Sequence, residues 1–137
     1  MSQPSSGLPR PVWKWLLGMD LPISVSNPRR DFQSGENIGY ILNYYYSRNP
    51  DQVAAGYIEM KFMNRGTSYK SVESNWQLIK RFLSREENSN IPIPNEEIEG
   101  TIHAKPGCVE ILLIRLFQIF TGTSIKTLKN EYNIDFT

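Results

Sequence analysis

Residues 108–121, CVEILLIRLFQIFT, place apolar side chains at Val109, Leu112, Leu113, Leu116, Phe117 and Phe120. Steps of three and four residues put these on one broad face of a helix, which must be buried on most of its sides. Gly122 stands where it can end that helix. Residues 71–85 carry a second such stripe, with Val72, Trp76, Ile79 and Leu83 along one face. Leu78 and Phe82 widen it. Two helices this apolar require a shared core, and they are expected to cross at its centre. The chain has 137 residues, enough for one sizeable domain and too few for two.

The other segments read as shorter helices and irregular connectors. Residues 1–7, rich in Ser and Pro, form a flexible tip. Pro9 and Pro11 suit a first helical turn, and Val12 to Leu17 follow as a short apolar helix with Trp15 and Leu16 inward. Leu21 to Arg30 reads as a loop broken by Pro22 and Pro28. Residues 31–46 read as one helix, capped by Asp31 or Ser34, with Ile38, Ile41, Leu42 and Tyr45 toward the core. Tyr40, Tyr44 and Tyr46 surround that stripe, either as boundary packing or as a partner surface. Residues 57–63 are either an irregular helix or an apolar loop, and 64–67 a turn. Asn95 caps a short helix running to about His103, with Glu96 and Glu97 in its first turn. The tail, 122–137, is either a short docking helix built on Ile125, Leu128 and Tyr132 or an extended strand of chain. The expected class is all-α, with four main helices. The expected core is Trp15, Leu16, Ile38, Leu42, Trp76, Ile79, Leu83, Leu112, Leu113, Leu116 and Phe117.

Composition narrows the function. Hydrophobic residues make up 39% and charged residues 21%, which is globular rather than disordered. The net charge of +1 argues against a whole-protein attraction to nucleic acid or an anionic membrane. That near-neutral sum hides an asymmetry. Residues 1–85 have a balance of +5 and residues 86–137 a balance of −4. Either the surface is bipolar, or sequence halves do not map onto faces. A single cysteine excludes an internal disulfide and a multi-cysteine metal site. No apolar run approaches the roughly 18 residues of a membrane span, and the N-terminus has no secretory pattern. A soluble intracellular protein is the expectation.

Catalytic signatures are scarce. His103 and Cys108 stand five residues apart, but a helix-end histidine and a cysteine opening a buried helix explain them more simply than a nucleophile pair does. No phosphate-binding glycine loop or calcium loop is present. No enzyme activity, cofactor or metal is expected. The basic residues carry more. Lys14 lies between two tryptophans, Arg29 and Arg30 lie in a proline-marked loop, and Lys80 and Arg81 lie on the central helix.

Several motifs share an order. Leu8–Pro9–Arg10–Pro11–Val12 precedes Trp15–Leu16; then come Asn27–Pro28–Arg29–Arg30–Asp31–Phe32 with Gly35, and Gly66–Thr67–Ser68 with Lys70–Ser71. Asn75–Trp76 with Leu78–Ile79 and Phe82 follow, then Ile91–Pro92–Ile93–Pro94, then Ile98–Glu99–Gly100–Thr101–Ile102–His103 and Lys105–Pro106–Gly107. Over residues 8–121 this resembles the calponin-homology-like domain of sperm-flagellar and spermatogenesis-associated proteins, closest to the spermatogenesis-associated branch. The chain departs from that pattern at residues 51–65.

The resemblance implies a compact domain over 8–121 and a cytoskeletal role in a cilium or flagellum. Its partner would be microtubules (tubulin) or another axonemal protein. Lys14, Arg29, Arg30, Lys80 and Arg81 are the candidate filament contacts. Tyr40, Tyr44, Tyr57 and Phe62 are candidate contacts for a protein partner. An adaptor without tubulin affinity is the alternative, and actin binding, suggested by the broader fold, is a third.

Overall fold

A computed structural model describes residues 7–46, 58–65 and 68–123. Most of the tip, Tyr57, the Gly66–Thr67 turn and the tail from 124 lie outside the described residues. Among the described residues every regular element is helical. The order is α1 (Arg10–Leu17), α2 (Pro28–Asp31), α3 (Glu36–Tyr46), a 3-10 turn (Met60–Phe62), α4 (Tyr69–Leu83), a second 3-10 turn (Glu86–Asn88), α5 (Asn95–Ile102) and α6 (Cys108–Thr121).

Local chemistry sets most of the boundaries. Pro9 and Pro11 open α1, and the Gly18 N–H closes it on Lys14 O at 3.0 Å. Ser68 Oγ accepts the Ser71 N–H, so α4 starts two residues earlier than its apolar stripe suggests. Pro94, not Asn95, takes the cap position of α5. The expected helix over 31–46 is divided. Asn27 caps a separate turn at α2, whose first residue is Pro28, and Gly35 adopts a left-handed φ of 89° before α3 begins. A side chain at position 35 would also press on Trp76 and Ile79.

The core takes Leu16, Ile38, Leu42, Trp76, Ile79, Leu112, Leu113, Leu116 and Phe117 as expected. Trp15 and Leu83 lie at its margin, half-buried. Trp15 is drawn there by its ring N–H, which donates to Tyr45 Oη at 2.6 Å. Tyr45 is itself half-buried, and the inner stripe of α3 ends instead on Tyr46, buried edge-on against Phe82 at 5.1 Å. The closest backbone packing of α6 is against α5, then α1 and α2, while α4 lies against α3 and α5. The expected close crossing of the two longest helices, α4 and α6, is therefore not among the main packings of the fold.

Asparagines hold the irregular connectors to this frame. Asn37 donates to Ile23 O at 2.9 Å and accepts the Ile23 N–H at 2.9 Å. Asn43 grips Ile58 in the same two-sided way, at 2.8 and 3.0 Å. Asn75 binds both backbone groups of Asn64 and donates to Ser34 O. Asn88 donates to Phe82 O at 2.7 Å. Asn37, Asn43 and Asn75 each supply the donor and acceptor that a connector lacks, and Asn88 a donor.

Candidate interaction surface

The candidate cations fall into two groups. Arg29 turns inward from α2, its Nε donating to Glu110 Oε2 on α6 at 3.1 Å. The Glu110 side chain is only 7% exposed, and its other oxygen has no partner among the described residues. Arg30 donates to Asp31 Oδ1 at 2.9 Å and to Ser26 Oγ at 2.9 Å. Lys80 Nζ lies 2.7 Å from Glu99 Oε2, tying α4 to α5. These three charges are neutralised within the fold. Lys14 and Arg81 are different: both are exposed, and neither forms an ion pair with a described residue.

Each free cation sits in an exposed stripe. On α1, Arg10, Lys14 and Leu17 follow one another at helical spacing, with Leu17 66% exposed and no acidic residue on the helix. On α4 the outward row is Lys70, Ser74, Gln77 and Arg81, which spans about 16 Å at a helical rise of 1.5 Å per residue. Arg10 and Lys70 were not among the sequence candidates. Their spacing to Lys14 and Arg81 was the available signal.

The aromatic candidates also divide. Tyr40 and Tyr44 are half-buried, their rings 6.3 Å apart, and Tyr44 meets Tyr45 edge-on at 5.0 Å. Tyr45 stacks flat on Phe120 at 4.3 Å. This row bridges α3 to α6. Phe62 stands apart, 58% exposed, with Lys61 Nζ 5.3 Å from its ring centre. Tyr57 lies outside the described residues.

Nothing in the geometry assembles a reactive centre from His103 and Cys108. His103 is exposed at the end of α5, while Cys108 is packed under Gly100. Among the described residues no group of three or more His, Cys, Asp or Glu is placed to hold a metal ion. No described helix is long and apolar enough to cross a membrane.

Asp31 is the most elaborately held acid. Burial alone would push its carboxyl up. The Arg30 side chain and the backbone N–H groups of Ser26 and Asn27 outweigh that and hold it below the ordinary carboxylate range. The Arg-Arg-Asp run thereby fixes the turn ahead of α3, an arrangement that belongs to the fold.

Residues 12–118 match the family model described as the CH-like domain in sperm protein. The match spans the helices from α1 into α6, and the structure over that span is all-α. The chain therefore belongs to the family of calponin-homology-like (CH-like) domains of sperm proteins.

Proposed function

We propose that this domain is a non-enzymatic cytoskeletal binding module, docking on microtubules or an axonemal structure of a cilium or flagellum. Membership of the CH-like family across residues 12–118 is the observation that carries this reading. The free cations support it. Lys14 and Arg81 are the leading contacts, because meeting an acidic filament costs them no existing ion pair. Arg29, Arg30 and Lys80 contribute less, since each would have to leave a carboxylate behind. Steering by exposed cations weakens as salt shortens the Debye length.

Co-sedimentation of the folded chain with stabilised microtubules across a salt series tests this, with actin filaments alongside. Saturable microtubule binding that declines with salt supports the proposal. Binding to actin alone would overturn it. The second reading, an adaptor docked to another axonemal protein, draws on the exposed Phe62 and Leu17. A folded chain that binds neither filament would favour it.

A further inference from the structure

A cleft of about 350 Å³ opens where the connector after α1, the α2–α3 junction and the start of α4 meet. Ile23 and Val72 form apolar wall, Ser34 and Glu36 line it, and the ion-paired Arg30 and Asp31 and the exposed Arg65 complete it. Glu36 is the unusual member. It is 5% exposed, yet its carboxylate has no hydrogen-bond or ion-pair partner among the described residues. Asp31, by contrast, is matched by Arg30 and two backbone N–H groups, and one oxygen of Glu110 by Arg29.

What remains accessible of this unpaired carboxylate opens on the cleft, where an entering cation meets it without displacing a partner. Glu36 is the first residue of α3. The group is thus an unpaired acceptor facing a cavity.

We propose that this cleft receives a lysine side chain from a partner protein. The ammonium meets the Glu36 carboxylate, with the Ser34 hydroxyl as a second acceptor, and the four-carbon stem lies along Ile23 and Val72. An ammonium suits this set because it is a compact charge with three donors. Arg65 disfavours an isolated cation, so the preferred lysine is bordered by acidic residues. The site is separate from the exposed stripes of α1 and α4, and it does not depend on whether a filament or an adaptor partner supplies the lysine.

The test is a titration of the isotope-labelled 137-residue chain, followed by amide chemical shifts. The probe is a blocked Glu-Glu-Lys-Glu-Glu peptide, set against the same peptide carrying acetyl-lysine. Saturable shifts at Ile23, Ser34, Glu36 and Val72 are expected, with binding weakened at least about tenfold by acetylation and equally by Glu36→Gln. General attraction to basic surface predicts the reverse, because the acetylated peptide is the more acidic. Equal or tighter binding of the acetylated peptide, or no response in the cleft, overturns the proposal. So does binding that Glu36→Gln leaves unchanged. Should Arg65 instead close over Glu36, Arg65→Ala lowers Tm and neither peptide perturbs the cleft, which also overturns it. If Glu36→Gln fails to fold, the two peptides on the wild-type chain still decide.

Discussion

Cys108 Sγ occupies the space that a side-chain carbon on Gly100 would need. The start of α6 is thereby seated directly on the backbone of α5. Gly100→Ala forces the two helices apart or displaces Cys108, and overpacking of this kind costs about 2–3 kcal/mol. A chemical melt of the variant checks it. Cys108→Ala in the same chain should restore only part of the loss, because the Cys108 Cβ also lies inside contact distance of that position.

Arg29 and Glu110 join α2 to α6, and among the described residues Arg29 is the only partner of a nearly enclosed carboxylate. Removing the arginine strands that charge. Breaking a fully buried pair costs roughly 3–5 kcal/mol; with Arg29 itself 37% exposed, about 2 kcal/mol is expected for Arg29→Ala. Arg29→Met combined with Glu110→Gln should cost less than Arg29→Ala alone. A double-mutant cycle by denaturant unfolding measures the difference. Equal losses would mean that the ion pair has no structural weight.

The sequence disclosed the helices wherever one apolar stripe met one face. The α6 stripe from Val109 to Phe117 and the α4 stripe from Val72 to Phe82 both lie in the core. It misled where a short-range contact decided the outcome. The division between α2 and α3 depends on Asn27 capping a turn and on Gly35 taking a left-handed conformation against Trp76, and neither produces a periodic signal. Tyr46 rather than Tyr45 reaches the core because Tyr45 is held at the margin by Trp15 and Phe120. The basic candidates were visible as residue types, but not as free or paired charges. Glu110, 81 positions from Arg29, carries no local mark of that pairing.

The Asp31 carboxyl is held below its ordinary value, so its contribution to stability has a definite pH window. A group whose folded pKa is depressed stabilises the fold above its unfolded pKa, near 3.9 for aspartate, and that contribution is lost as pH falls through the folded value. Stability should therefore decline below about pH 4. Asp31→Asn should lower stability at neutral pH and flatten the dependence between about pH 4 and pH 2. Urea melts of both chains over that range are the check. Parallel pH profiles for the two would show that Asp31 does not carry the effect.

Ala104 adopts a left-handed φ of 53° just beyond α5. Its N–H bonds Thr101 O at 3.1 Å, and the Lys105 N–H bonds Gly100 O at 2.7 Å, the paired pattern of a Schellman closure. That position ordinarily favours glycine, because alanine's Cβ is strained there. Ala104→Gly is expected to stabilise the domain by about 0.5–1 kcal/mol, the relief of strain exceeding the added chain entropy of the unfolded state. A rise in Tm measures it. A fall would mean that entropy outweighs strain at this turn.

Lys14 and Arg81 test the filament reading without disturbing the fold. Both are exposed, and neither is matched by a described acid, so Lys14→Gln with Arg81→Gln should leave Tm unchanged. If these residues meet an acidic filament, the double variant should bind microtubules severalfold more weakly at low salt and show a shallower salt dependence. Arg29→Ala is the necessary contrast, since any weakening there arrives together with loss of stability through Glu110. The adaptor reading predicts another pattern. Neutralising the two cations would change little, while Phe62→Ala, removing an aromatic ring that is 58% exposed, would lower capture of the axonemal partner. Since Phe62 lies outside the buried core, that loss should come without a fall in Tm, so the two readings separate on binding alone.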